Sequence, residues 1–437
     1  MERVIILTIS FFLLIFSCFV FPISSVDTLK PGDRLNSSTP IVSADGFFLL
    51  GFLNPDGFSG LGFFNPNDSS LSYLGIWCTV GNDIGWNYIV WLGNRENGIS
   101  DDSGILTINS AGELIITSNT SDSTVLYAGG NGKNITATLL NSGNFVVREM
   151  NINGSSDRVL WESFDYPTDT LIPGMKLGVN HRTGRNWHLT SRFGEDNPAS
   201  GAFTLEWDPG TRMLIVRRRG QIYWTSGNLK DYTNQSLRWN VKEFENIPEP
   251  DFEDFNYNFT NVSNGVEDYF SYSLIPYPIG KNISGWRLSY NGDIFDIYRK
   301  MIAKVSLCYG YNIYKGCKSW EQPICRNHNE AFVLKSGHFA YGNGSKPIPE
   351  SVDNYNLTES DCREKCWKDC ECVGFANSSQ PASNEIGCTF WKGKILTFVQ
   401  SYDGSEPKQF VLVLKATKRW KSWEIITLVI SVVALLL

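Results

Sequence analysis

Apolar and polar positions alternate in short bursts along most of the chain. Segments 47–52, 72–77, 87–92, 105–109, 114–118, 135–140 and 145–149 are each rich in β-branched or aromatic residues, with Gly, Asn, Asp and Ser clustered between them. Period-2 runs closed by such turn formers predict short strands in an all-β arrangement. No helical repeat stands out before residue 350. One helix is predicted at 357–368, where Thr358 is the N-cap, Asp361 follows three residues on, and an apolar-and-cysteine face continues. The run FVLVLKA at 410–416 reads as a closing strand.

A weak internal repeat overlies this pattern. LTINSAGELII (106–116), TLLNSGNFVVR (138–148) and RLSYNGDIFDI (287–297) share an apolar strand, a small polar turn with Gly, and a second apolar strand; TLEWDPGTRMLIV (204–216) is a looser copy. Each predicts a hairpin whose Gly takes the positive-φ position of the turn. Hairpins that cannot bury their own faces must stack on one another. Two copies lie before residue 150 and two after 200, which predicts two related β-domains in tandem.

The ends set the compartment. Arg3, an apolar run from Val4 to Phe21 and small Ser24 and Ser25 read as a secretory signal peptide over 1–25, the alternative being a first transmembrane helix. Asn-x-Ser/Thr sequons at Asn36, Asn67, Asn119, Asn134, Asn153, Asn234, Asn258, Asn261, Asn282, Asn343, Asn356 and Asn377 run from end to end and suggest a glycosylated surface. After Lys418, Arg419 and Lys421 the chain is apolar over 425–437, shorter than the roughly 20 residues a bilayer needs. This reads as the truncated start of a transmembrane helix; a cleaved lipid-anchor tail and a weakly inserted stub are the alternatives. Lys and Arg on the extracellular side of such a span run against the positive-inside rule. A net charge of −7 gives no electrostatic footprint for nucleic acid.

Cysteine usage divides the chain. Cys18 falls in the signal segment, Cys78 stands alone in the first half, and Cys308, Cys317, Cys325, Cys362, Cys366, Cys370, Cys372 and Cys388 crowd together. In an oxidising compartment such a cluster reads as a disulfide framework of undetermined pairing, with zinc binding at 362–372 as the rival. Cys78, beside Ile76 and Trp77, reads as a buried thiol; an intermolecular disulfide is its alternative.

These segments resemble a known family. YLGIWC (73–78), VWLGNREN (90–97) and LLNSGNFVV (139–147) look like the bulb-type, mannose-binding lectin domain of plant G-type lectin S-receptor-like serine/threonine kinases. WESFDYPTDTLIPGMKLGVNHRTGRNWHLTS (161–191) resembles the S-locus glycoprotein segment that follows in that family, and DCREKCWKDCECVGFANSS (361–379) with GCTFW (387–391) its PAN/apple domain. The resemblance implies a mainly β fold: tandem β-prism lectin-like domains at 26–150 and 151–305, a reduced cysteine-containing linker at 306–330, a small disulfide-rich α+β PAN/apple domain at 331–418, and the membrane segment from 425. It also implies the bridges Cys362–Cys388 and Cys366–Cys372, with Cys308, Cys317, Cys325 and Cys370 paired in an order left open. Relatives carry a six-cysteine EGF-like segment before the PAN region, whereas this chain keeps only Cys308, Cys317 and Cys325 there.

Sugar-binding members of the family hold mannose with a Gln-x-Asp-x-Asn-x-Val-x-Tyr strand. At those five places the chain has Leu140, Ser142, Asn144, Val146 and Arg148, so only Asn144 and Val146 match; a second copy offers Asn109, Ala111, Glu113, Ile115 and Thr117. Each lost hydroxyl partner costs roughly 1–3 kcal/mol. The match therefore reads as a non-functional pocket remnant that builds the hairpin. Trp77, Trp91 and Trp161 lie within strand patterns and read as core.

Catalytic chemistry is missing from the pattern. His181, His188, His328 and His338 have no metal-ligand spacing, no Gly-x-Ser-x-Gly elbow is present, and the kinase signatures Val-Ala-Ile-Lys, His-Arg-Asp and Asp-Phe-Gly do not occur. The expected chain is not an enzyme, needs no cofactor or metal, and is the ligand-recognition ectodomain of a receptor-like kinase whose kinase domain is absent. It would act at the extracellular face of the plasma membrane, or be secreted if the tail does not insert. Expected partners are an extracellular peptide, lipid or glycan and a second copy or related receptor. The alternative is a carbohydrate-binding defence glycoprotein without a kinase.

Overall fold

The computed structural model describes residues 27–53, 71–80, 86–129, 134–150, 158–234, 239–247, 257–274, 284–308, 315–318, 323–327, 329–352, 354, 356–378 and 387–414. The signal segment, the apolar tail and sequons Asn67, Asn153 and Asn282 lie outside these residues. The fold is mainly β, built from small antiparallel sheets, with one α-helix among the described residues, and it divides into two compact units.

The first unit ends at Tyr166. It holds three four-stranded sheets, and each combines a two-residue strand from the N-terminal stretch with three consecutive later strands. Ile41–Val42 joins Phe48–Leu53, Tyr73–Val80 and Trp86–Leu92. Arg34–Leu35 joins Ile105–Ile108, Leu114–Thr117 and Thr124–Tyr127. Thr28–Leu29 joins Ile135–Leu139, Phe145–Glu149 and Arg158–Glu162. The predicted alternation is realised in burial: Leu106, Leu114 and Ala137 are fully buried while Thr107, Ile115 and Thr136 are half-buried. Trp77, Trp91 and Trp161 are buried, with Trp91 set edge-on to Trp161 and its indole N–H donating to the Tyr166 carbonyl at 2.9 Å. The boundary expected at 150 falls inside this unit, because Arg158–Glu162 pairs with Phe145–Glu149 and completes the third sheet.

The second unit begins at Pro167 and has three further four-stranded sheets, a separate hairpin of Leu229–Asn234 with Trp239–Phe244, and one six-stranded sheet. Aromatic rings fill the middle of its first part: Trp207, Phe244, Tyr257, Phe259, Phe270, Tyr272 and Trp286 pack with neighbouring centroids at 5.4–5.8 Å. Asp169, 1% exposed, accepts from Nε of Arg192 at 2.9 Å and of Arg287 at 3.1 Å, tying three separated segments. The six-stranded sheet runs in the order Glu350–Val352, Gly387–Lys392, Cys372–Ser378, Lys408–Leu414, Glu330–Ala340, Thr397–Gln400.

Helix α1 (Glu359–Lys368) packs against that sheet, and Asp361 Oδ2 accepts from both the backbone N–H and the hydroxyl of Thr358 at 2.8 Å, the predicted N-terminal cap. Residues 315–318 lie along the free edge of strand Gln221–Thr225: Thr225 N–H donates to the Gly316 carbonyl, Lys318 N–H to Tyr223, and the Trp224 indole to Lys315.

Candidate functional site

The repeated hairpins carry the positions where sugar chemistry was sought. Their turns are superposable in hydrogen bonding: Leu140 N–H donates to the Asn144 carbonyl at 2.9 Å, Asn109 to Glu113 at 3.0 Å, and Ser289 to Asp293 at 2.8 Å. Gly112, Gly143 and Gly292 take φ of 82°, 82° and 90°, the conformation that selects glycine. A Cβ on Gly143 would stand 2.7 Å from the Phe48 ring, and one on Gly292 2.8 Å from Phe203, so the same close packing recurs in each unit.

The side chains after Gly143 and Gly292 are buried, whereas Glu113 after Gly112 is half-buried. Asn144 is 7% exposed; its Oδ1 accepts from the Ser163 hydroxyl at 3.1 Å and Phe164 N–H at 3.2 Å, and its Nδ2 donates to Glu162 at 2.8 Å. Val146 is 1% exposed. At the corresponding place in the second unit Asp293 accepts from the N–H groups of Val305 at 2.6 Å and Ser306 at 2.7 Å. Burial pushes the Asp293 carboxyl above its ordinary value, against the pull of those two amides. Both side chains therefore pin the chain where it leaves the last strand of a sheet. Around Glu113, Asn109 Nδ2 donates to the carboxylate at 2.8 Å, while Ala111, Ile115 and Thr117 offer no hydroxyl-binding set.

The C-terminal cysteines form Cys308–Cys317, Cys325–Cys370, Cys362–Cys388 and Cys366–Cys372. The thiols weighed as zinc ligands are consumed in these bridges, and no group of three His, Cys, Asp or Glu able to hold a metal is found among the described residues. Cys78 is free and fully buried.

Two charged features escaped the sequence reading. Arg326, 6% exposed, sends Nε to the Trp367 carbonyl and Nη2 to those of Cys366, Asp369 and Cys372 at 2.6–3.0 Å, closing the C-terminal end of α1. At the other end Arg218 and Arg219, from the hairpin Met213–Arg218 with Gln221–Thr225, grip the first turn of α1. Arg218, 5% exposed, reaches Asp361 Oδ1 at 2.7 Å, Glu364 Oε2 at 2.6 Å and Ser360 Oγ at 3.1 Å. Arg219 reaches Asp361 Oδ2 at 2.7 Å from a backbone φ of 48°, next to Gly220 at 80°. A two-residue turn of that shape ordinarily carries Asn-Gly. An arginine there accepts backbone strain in exchange for the ion pair, and the Arg-Arg-Gly sequence in a hairpin turn was the available signal.

Comparison with known proteins places these features. The D-mannose binding lectin family matches residues 88–192 and the PAN-like domain family residues 335–398. An S-locus-specific glycoprotein of Brassica oleracea is 30% identical over 89% of this chain and 92% of its own length. A G-type lectin S-receptor-like serine/threonine-protein kinase of Arabidopsis thaliana is 30% identical over 95% of this chain and 49% of its own. A second Arabidopsis kinase of that description is 40% identical over 57% of this chain and 28% of its own. The chain thus spans about half the length, or less, of the receptor kinases it matches.

Proposed function

Because the chain belongs to the plant G-type lectin S-receptor-like kinase family and matches its extracellular ligand-binding part, we propose that it recognises an extracellular ligand through its loops rather than through monosaccharide pockets. In this reading 1–25 is a cleaved signal, the first six four-stranded sheets form two β-prism lectin-like units, 306–330 is a short cysteine linker, 331–418 a PAN/apple module, and 425 onward the start of a membrane span. The protein stands at the outer face of the plasma membrane as a recognition device for a peptide, lipid or glycan. It pairs with a second copy or a related receptor through non-covalent contacts.

The observation that carries the reading is the fate of Asn144. Its amide oxygen is taken by Ser163 and Phe164 and its nitrogen is turned to Glu162, and Val146 is buried, so the two surviving pocket residues are committed to the fold rather than displayed toward a sugar. Titration calorimetry of the secreted ectodomain with millimolar mannose should give no saturable heat. Saturable heat that disappears in Asn144→Ala would favour the second reading, a glycan-binding defence glycoprotein, which the match to the mannose-binding lectin family keeps in play.

A further inference from the structure

We propose that Asn377 is a sequon that stays bare in the folded protein, its carboxamide acting as a crosspiece of the disulfide module, while N-linked glycans occupy sequons of the opposite geometry, Asn36 and Asn343. The three differ in which end of the amide is held. Asn377, half-buried in strand Cys372–Ser378, points Nδ2 inward: it donates to the Leu357 carbonyl at 3.0 Å and the Gly387 carbonyl at 3.2 Å, with Cys362 Sγ also at 3.2 Å. Leu357 immediately precedes the cap of α1, and Gly387 begins the neighbouring strand Gly387–Lys392. One side chain therefore ties the helix, its sheet and the Cys362–Cys388 bridge.

Asn36 and Asn343 are exposed and hold the other end. Oδ1 of Asn36 accepts from the N–H of Ser38 at 3.1 Å and its hydroxyl at 2.6 Å; Oδ1 of Asn343 accepts from the N–H of Ser345 at 3.1 Å and its hydroxyl at 2.7 Å. In each, the partner is the sequon's own third residue, and Nδ2 is left outside.

Glycan transfer acts on Nδ2. A bond forms from Nδ2 to the anomeric carbon of a lipid-diphosphate-linked oligosaccharide, the anomeric C–O bond to the diphosphate breaks, the lipid diphosphate leaves, and one Nδ2 proton is lost. At Asn377 both hydrogens serve carbonyls. A carbon bonded to nitrogen at ~1.45 Å would lie within about 2 Å of one carbonyl oxygen. A chain modified there cannot seat Cys372–Ser378 beside α1, so the folded, secreted population is the unmodified one.

The test expresses the full chain in a plant secretory host and maps tryptic peptides of the secreted protein. Asn377 is expected at its unmodified mass and Asn36 and Asn343 as glycopeptides. Ser379→Ala removes the sequon yet keeps the amide, so it should leave both secretion and gel mobility unchanged. Asn36→Gln and Asn343→Gln should each quicken migration by one glycan. Asn377→Asp, which replaces the donors with acceptors facing two carbonyls, should lower secretion several-fold. A glycopeptide at Asn377, a mobility step in Ser379→Ala, or wild-type secretion of Asn377→Asp would overturn the crosspiece; bare Asn36 or Asn343 would overturn the other half.

Discussion

At the scale of single residues, Cys78 and Arg326 show opposite uses of burial. The Cys78 thiol lies in strand Tyr73–Val80 with no exposed surface, and burial pushes its pKa up to about 12 against a small opposing pull from the backbone. At pH 8 about one molecule in ten thousand is then the reactive thiolate. A maleimide dye should leave the native ectodomain unlabelled and add one equivalent after urea unfolding. A dimer band on a non-reducing gel that vanishes in Cys78→Ser would reverse this. Its burial was readable from the flanking Ile76 and Trp77. Arg326 was not readable, because the carbonyls it serves lie 40–46 residues away and no local pattern marks an arginine that will close a distant helix. Removing it strands carbonyls among buried neighbours, so Arg326→Ala should cost at least about 2 kcal/mol in denaturant unfolding. Arg326→Lys should recover less than half of that, since an ammonium cannot span the fork's four acceptors.

At the scale of elements, α1 was the best-read part of the chain, because Thr358 and Asp361 act locally; what holds its flank was not. Arg218 belongs to a hairpin 142–146 residues away from its partners, and a run of charges ordinarily signals a solvated face. Burial alone would raise the carboxyls of Asp361 and Glu364, yet their hydrogen-bonded cations and, for Asp361, the Thr358 amide hold both below their ordinary values. For a depressed carboxylate the stabilisation is complete above the unfolded pKa, near 4, and fades as pH falls through the folded one. Thermal unfolding of the second unit should therefore be flat in this respect from pH 7 to about 5 and fall below about 4. Arg218→Ala should cost about 3–5 kcal/mol by leaving Asp361 buried and partly unpaired, and should flatten the acid-side fall.

At the scale of the whole chain, the hairpin repeats were legible because each strand pair is local and alternates. The two-residue strands Thr28–Leu29, Arg34–Leu35 and Ile41–Val42 were not, since two residues carry no period. The late strand Arg158–Glu162 was missed because Trp161 read as part of the next segment, and its pairing gives a direct test. The first unit expressed as residues 1–166, signal segment included, should be secreted and resist protease, whereas a version ending at 150 should lose both properties. The short stretch 315–318, bonded along strand Gln221–Thr225, has a different kind of consequence. A bare outer strand with Ile222, Tyr223 and Trp224 is a template on which another chain can polymerise. The Cys308–Cys317 bridge anchors the stretch that covers that edge, so it is expected to guard solubility as well as to add stability. Cys317→Ser should shift the secreted material toward soluble oligomers in light scattering and raise thioflavin fluorescence, with the surviving monomer melting below wild type; a variant that melts lower yet stays monomeric and thioflavin-negative would overturn the edge-guarding role.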